Sequence, residues 1–434
     1  MTGDAGMGKS RLVAEFEDEA RELGYAWTWT ESVSYGRGEP YRFARLFAQA
    51  IADEHEIDSG SYTRQLLFTQ GIDDATLRRY RGAIAAVARD AAFSGWEAEQ
   101  VDVPDDPSET AAILAEVAAA YVERVLETDG PRVVVLDDLQ WLDTSSSGMV
   151  EILVGAAAVR PLVVLATTRP GIIPSWATVG HVEQVDLGGL APAETAQLAT
   201  LVARAALDAG DARRIHERTQ GNPLFIGETV RASIEDGTLE LRDGRMVLVE
   251  PGAPRLPLTL RAVLGARLDG LDEPARDVLS VASVVGIGFR LDELEDLLGA
   301  PIAPGTLDRL VDAALIVPSA GNGTWRFSHP LVHETAYAGM LASRRRRLHA
   351  RLADRLEAGP PPVAIETLAV HRAAAGDAAT AIPLLVEAAT AALAMGAPNE
   401  AAAFWRNAAD LATEPEVIGR LRAAADSALE AARG

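Results

Sequence analysis

Of the 40 basic residues in this chain, 39 are arginine; the single lysine, Lys9, lies inside Gly3-Asp4-Ala5-Gly6-Met7-Gly8-Lys9-Ser10. That stretch fits G-x-x-x-x-G-K-S at every fixed position. Glycines let the backbone curl so that successive N–H groups point into one concavity, and the helix that follows adds its positive N-terminal end. Arginine drift of the kind a GC-rich genome produces spares a lysine where a compact ammonium is needed, because a planar guanidinium has a different reach and shape. Leu12, Val13, Phe16, Ala20 and Leu23 recur at helical spacing, so the required helix follows the loop. The stretch therefore reads as a loop for nucleotide phosphates, with Lys9 reaching the β- and γ-phosphates and Ser10 ligating Mg²⁺. A fold that supports it is a parallel α/β sheet.

A phosphate loop normally follows a buried strand of about five residues, whereas only Met1 and Thr2 precede Gly3. The expectation is a P-loop sheet whose first strand is missing, through a fragment or a misplaced start.

The segment Pro131-Arg132-Val133-Val134-Val135-Leu136-Asp137-Asp138 reads as a buried parallel strand ending in two carboxylates. This is a Walker B pattern: Asp137 is the candidate Mg²⁺ ligand and Asp138 the candidate catalytic group that polarises an attacking water. Asp143 to Ser147 read as helix caps. Leu162 to Ala166 forms another strand, ending in Thr167-Thr168-Arg169-Pro170 at the nucleotide edge of such a sheet. Arg169 there is either a γ-phosphate sensor or the partner of a surface carboxylate. Tyr25 to Thr30 and Val182 to Leu187 read as two further strands.

With 434 residues, two to four domains are expected. The longest uncharged apolar run, Val278 to Phe289, has 12 residues, short of the roughly 18 that span a bilayer. Cysteine is absent, which excludes disulfides, thiolate metal sites and cysteine nucleophiles and fits a cytoplasmic protein. Net charge is −23, so most of the surface repels nucleic acid. Residues 1–250 carry −19 of this, residues 251–350 sum to zero and residues 351–434 to −4.

Beyond the sheet, Pro192 to Leu207, Ala212 to Gln220 and Leu224 to Glu235 read as helices, interrupted by Gly221-Asn222-Pro223. Thr238 to Val249 reads as a hairpin turning at Asp243-Gly244. Pro251, Pro254 and Pro257 mark a linker. Four short helical patterns between Leu258 and Leu315 precede a second hairpin, Ile316 to Phe327, around Gly321-Asn322-Gly323. That order is a winged helix, here with only Arg309 on its third helix, and reads as a packing module rather than a DNA reader. His329 and His333, four apart, read as capping or core residues, since no third metal ligand is near. Arg344 to Arg347, with Arg351 and Arg355, are expected to pair with the acidic ATPase segment. After Pro360-Pro361-Pro362 the Ala-rich chain, with Ala373, Ala374, Ala381, Ala388 and Ala389 and turns at Gly376-Asp377 and Gly396 to Asn399, reads as helical hairpins of tetratricopeptide-like repeats.

Taken together these residues resemble a family, the STAND-type ATPases within the AAA-related P-loop class, in particular the large ATP-binding regulators of the LuxR type. The resemblance rests on Gly3 to Ser10 running into Arg11-Leu12, on Val134 to Asp143, on Thr168-Arg169-Pro170, on Gly221 to Phe225, and on Phe327 to Val332 with Tyr337 and Arg347-Leu348-His349. It implies an ATPase domain (1–190), a helical lid with a hairpin (191–250), a winged-helix-like domain (251–350) and the start of helical sensor repeats (351–434). It also implies that Arg11 joins the ATP loop, that Asn222 and Pro223 contact the nucleotide from the lid, and that the family's DNA-binding helix-turn-helix lies outside this chain. By resemblance to AAA-related P-loop sheets, the slot left by the missing first strand is expected between the strands ending in Asp137 and near Thr167, leaving two apolar edges unpaired.

The fold class expected is thus α/β followed by all-α, with ATP and Mg²⁺ as cofactors. The function expected is an ATP-binding switch in a regulator of transcription, any hydrolysis converting ATP and water to ADP and phosphate. Expected partners are a signal ligand or protein on the repeats, DNA only through a domain outside this chain, no membrane, and a second copy through ATP-dependent self-association. Two alternatives stand beside it: a P-loop kinase of a small acceptor, and an ATPase module driving a cyclase or kinase domain outside this chain.

Overall fold

A computed structural model describes residues 1–31, 39–57, 59–68, 74–87, 106–172, 174–242, 244–248, 259–319, 323–359 and 364–431. Asp243, the proline linker at 251, 254 and 257, Gly321-Asn322 and the three prolines at 360–362 lie outside them. The chain divides into two compact units: Met1–Arg11 with Val185–Leu348, and Leu12–Gln184 with His349–Gly434. Helix Lys9–Glu22 runs through the first boundary.

The second unit holds a three-stranded parallel sheet in the order β1 (Ala26–Glu31), β2 (Arg132–Asp137), β3 (Leu162–Ala166). β2 lies in the middle and is buried at all six positions, as an unbroken apolar run covered on both faces should be. Helices Arg42–Glu54, Pro107–Asp129 and Ser147–Ala157 supply the cover, packing Phe47, Ile51, Val125, Val150 and Leu153 around Val134 and Leu136. Arg132 opens β2 at 1% exposure, and its guanidinium is held by Glu54 at 2.8 and 2.9 Å and by the Thr28 hydroxyl. A buried charge stays tolerable only when paired in this way.

Register corrects the expected strand order. Arg132 pairs Leu162 and Leu136 pairs Ala166 in a continuous parallel ladder, so no slot separates β2 from β3. Among the described residues the sheet's unladdered sides are the outer edges of β1 and β3, and on β3 Val163 is 36% exposed. Val182 to Leu187 is not a strand either. Of that segment Asp186 alone forms a bridge, to Thr2, with Thr2 N donating to the Val185 carbonyl and Leu187 N to the Thr2 carbonyl, both at 2.8 Å. An alternating pattern makes a strand only where a partner runs beside it for several residues, and Thr2 offers a single pairing position.

The same unit continues as helices Ile365–Ala375, Ala378–Ala394, Pro398–Leu411 and Pro415–Ala431, each packed on the next. Their contacts are made through fully buried alanines, Ala381, Ala388, Ala389, Ala401, Ala408 and Ala425 among them. Gly376 and Gly396 close helix ends with φ near 84° and 72°, the left-handed conformation that favours glycine.

In the first unit, helices Pro192–Ala203, Ala209–Thr219 and Pro223–Glu235 share a core of Ala199, Ile215, Ile226 and Val230. Beside them lies a small sheet of β4 (Ala206–Leu207), β6 (Arg245–Leu248) and β5 (Leu239–Arg242), the last two forming the expected hairpin. Four helices follow, Leu260–Asp269, Glu273–Val285, Leu291–Leu298 and Thr306–Asp312, with an antiparallel sheet β7 (Gly288–Arg290), β9 (Thr324–Phe327), β8 (Ile316–Pro318) and helix Pro330–Gly339. Buried Arg267 ties the two groups together through Glu228 and the Ala313 carbonyl. The whole is α/β in its first part and all-α at its end. Among the described residues no helix is long and apolar enough to cross a membrane.

Two side-chain expectations are also settled. His329 caps helix Pro330–Gly339, accepting from Leu331 N at 3.0 Å, and His333 donates to the Ser283 carbonyl at 3.0 Å against the Phe327 ring. Arg344 pairs with Asp277 at 2.7 Å, within its own unit. Arg345 lies over Tyr337. Local pairs of this kind satisfy a guanidinium without the ordering cost of a distant partner.

Candidate functional site: the phosphate loop and the carboxylate strand

The loop of the first unit is built from glycines in conformations other residues avoid. Gly6 and Gly8 have φ of 83° and 90°, and Met7 N closes a turn on the Asp4 carbonyl at 3.3 Å. A Cβ at Gly6 would fall 2.8 Å from Leu224 Cβ and 2.9 Å from Asn222 Oδ1, so only hydrogen fits. At Gly8 a Cβ would meet nothing within 4 Å; the left-handed backbone, not crowding, demands glycine there.

Lys9 is 7% exposed and donates its ammonium to the carbonyls of Gly3 at 2.8 Å and Asp4 at 3.1 Å. It is folded back across the loop that the sequence assigns to phosphates. Ser10 and Arg11 are exposed at the first turn of helix Lys9–Glu22, Gly3 is buried against Leu187, and Asp4 is exposed.

The start of helix Pro223–Glu235 reaches this loop from more than two hundred residues away. Asn222 Nδ2 donates to the Ala5 carbonyl at 3.0 Å, while its Oδ1 accepts from Phe225 N at 3.1 Å and caps helix Pro223–Glu235. Leu224 N donates to the Gly6 carbonyl at 3.2 Å. Pro223 is the first helical residue, where its missing N–H costs nothing. Gly221, with φ of 74°, lets the chain pass so close to Leu190 that a Cβ would sit 2.2 Å from its carbonyl oxygen, and at Gly189 the clash with Gln220 would be 2.1 Å. The sequence reading missed Gly189; the Gly188-Gly189 pair was its available signal.

In the second unit, β2 delivers Asp137 and Asp138 to the C-terminal edge of the sheet. Asp137 is buried and accepts from the Thr167 hydroxyl. That same hydroxyl accepts from Asp138 N at 2.9 Å, and Leu139 N donates to the Thr167 carbonyl at 2.9 Å. Thr167, read from sequence only as part of a polar strand end, thus holds the Asp137 carboxylate and the Asp138 backbone. Asp138 adopts φ 58°, ψ 50°, a left-handed conformation rare outside glycine and tolerated by Asp. Its Oδ1 accepts from Gln140 at 2.8 Å. Arg169 lies over the Trp141 ring, 5.7 Å from its centroid. Asp143 caps as expected, Oδ1 accepting from Ser146 N at 2.9 Å and Oδ2 from Phe43 N at 3.0 Å.

Taken by itself, the loop of the first unit, with open space at Gly8 and one ammonium drawn onto carbonyl oxygens, has the chemistry for phosphate, and the buried carboxylate ending β2 in the second unit has the chemistry for Mg²⁺. Among the described residues no cluster of three or more His, Cys, Asp or Glu could hold a metal ion.

Residues 1–165 match the AAA ATPase domain family, and this part of the chain is an AAA-related P-loop ATPase domain. Over 431 residues the chain is 28% identical to an uncharacterized protein of Rhizobium meliloti, covering 94% of this chain and 40% of that protein. It thus spans less than half the length of the curated relative it matches. Among solved structures it is similar to a signal transduction ATPase with numerous domains from Pyrococcus horikoshii that carries a tetratricopeptide repeat sensor. The TM-score is 0.53 at 15% identity, over 99% of this chain and 55% of that one, a likeness of fold.

Proposed function

We propose that this chain is the ATP-binding switch of a regulatory protein, of the STAND type. Residues 1–190 serve as its ATPase domain, 191–250 as its lid, 251–350 as a winged-helix-like packing module and 351–434 as the start of a tetratricopeptide-like sensor. The observation that carries the reading is the clasp between lid and loop, in which Asn222 and Leu224 hold the carbonyls of Ala5 and Gly6. Whatever enters the loop acts directly on the lid. A small-molecule kinase needs no such clasp.

Within this reading Gly3 to Arg11 hold the phosphates of ATP, Lys9 leaving its carbonyls for the β- and γ-phosphates, and Ser10 and Asp137 hold Mg²⁺. Bound Mg²⁺ neutralises phosphate charge and polarises the γ-phosphoryl group. Asp138, held by Gln140 and by Thr167, orients the attacking water; Arg169, stacked on Trp141, is kept near the end of β3 as a γ-phosphate sensor. Output through transcription, with DNA bound by a domain outside this chain, a cytoplasmic location and ATP-dependent self-association complete the proposal.

The test is ATP binding with and without Mg²⁺. At ATP a hundredfold above Kd the folded state gains about 2.7 kcal/mol, read as a rise in melting temperature, and Lys9→Ala removes most of it. An unchanged shift in Lys9→Ala sinks the assignment. Phosphate release with no acceptor present separates the switch from a kinase.

A further inference from the structure

The second unit contains a cavity of about 470 Å³ bounded by the helices over the sheet, the segment Thr144 to Met149 and the start of helix Pro398–Leu411. Pockets for small ligands fall in this size range and combine apolar walls with few polar groups. Here Ala44, Ala48, Leu114, Val117 and Met149 make much of the wall. Arg45 is the one basic side chain among the described lining residues, and it is held by the Pro40 carbonyl at 2.6 Å and Glu39 at 3.2 Å.

Among the described lining residues, two oxygens are buried without a hydrogen bond, Thr63 Oγ1 and Glu400 Oε2, and only the second belongs to an acid. Glu400 is 3% exposed; its Oε1 accepts from Ser145 N at 3.0 Å and is approached by the Ser145 hydroxyl at 3.4 Å, while Oε2 is buried with no hydrogen bond. Burial raises its carboxyl above the ordinary range, and nearby Asp143 adds like charge. Such an oxygen calls for a donor, and two neighbouring carboxylates favour a cationic one.

We propose that this cavity binds a small effector with an apolar body and one protonated amine, whose N–H donates to Oε2 of Glu400. The site also has an outlet. The Ser145 hydroxyl beside Glu400 donates to Asp143 at 2.9 Å and accepts from Tyr41 N at 2.9 Å, and Asp143 holds Phe43 N. An occupant therefore pulls on the segment that follows the Asp137-Asp138 pair. Binding stands independently of the ATP-switch reading; only this regulatory consequence rests on it.

The test titrates phenethylamine, with neutral 2-phenylethanol as its counterpart, into the full chain by calorimetry. Two variants accompany it: Glu400→Gln, and Ala115→Trp, which fills the cavity from an exposed wall position. The expected result is saturable one-to-one binding of the amine, at least tenfold weaker binding of the alcohol and of the amine to Glu400→Gln, and loss of binding in Ala115→Trp. Both variants keep the ATP-induced melting shift of the parent, which also shows that they fold. No saturable amine binding by the parent overturns the proposal, because an ordered water then satisfies Oε2. Parent-like binding by either variant overturns it too. Amine binding as expected in a chain whose melting ATP does not shift leaves the site standing and removes the switch reading.

Discussion

Asn222 and Ala5 are 217 positions apart in the chain, yet the side-chain amide of the first donates to the carbonyl of the second at 3.0 Å. The other half of that amide caps helix Pro223–Glu235, so one side chain both starts the helix and fastens it to the loop of Gly3 to Ser10.

Replacing Asn222 separates these two roles. Asn222→Ala loses cap and tether, about 1 kcal/mol for each, and should lower thermal stability and ATP affinity together. Asn222→Asp keeps the cap acceptor but sets a carboxylate against the Ala5 carbonyl. It should retain most of the stability and lose ATP affinity. Denaturant melts paired with ATP titrations distinguish them; full ATP affinity in Asn222→Asp would mean the tether is only structural.

Asp138→Asn should slow phosphate release by tenfold or more while changing ATP affinity little, because a group that orients water contributes mainly in the transition state. Single-turnover release and equilibrium binding on the same preparation read the two effects. Equal loss of both would make Asp138 a metal ligand.

Thr167→Val removes the hydroxyl that Asp137 and Asp138 share. The buried carboxylate and the Asp138 N–H then lose a partner, costing about 1 to 3 kcal/mol. Mg²⁺-dependent ATP binding should weaken more than binding without Mg²⁺, whereas Thr167→Ser, which keeps the hydroxyl, should behave like the parent. A Ser variant as impaired as the Val variant would place the effect in packing.

His349 and His371 face each other Nδ1 to Nδ1 at 2.9 Å, so one ring donates and the other accepts. Burial pushes His371 down to about 4, below the ordinary value near 6.5. A histidine lowered in the folded state stabilises above its unfolded value and loses that contribution as pH falls from 6.5 towards 4. At most about 3 kcal/mol is involved. An NMR titration of the His371 ring should show a midpoint near 4; a midpoint near 6.5 would mean the ring is hydrated and the pair open.

Much of this was legible along the chain. The tight glycine loop of Gly3 to Gly8, the strand of Val133 to Asp137, the helix breaks at Gly221 and Gly376 and the caps at Asp143 and His329 are local. Each depends on a few adjacent residues whose backbone preferences or hydrogen-bonding groups determine the outcome wherever the segment lies. Strand order did not follow from such signals: Val133 to Leu136 and Leu162 to Ala166 are equally apolar, and nothing in either states which one lies next to the other. The ladder between them is chosen by how helices Pro107–Asp129 and Ser147–Ala157 fill the space around the sheet. Side-chain partnerships across long separations were equally hidden. Arg344 could meet any acid, and packing gave it Asp277; Thr167, Gly189 and Glu400 matter for what stands opposite them. Sequence thus determines local conformation and the chemistry available, whereas the choice of neighbour depends on packing that no single segment encodes.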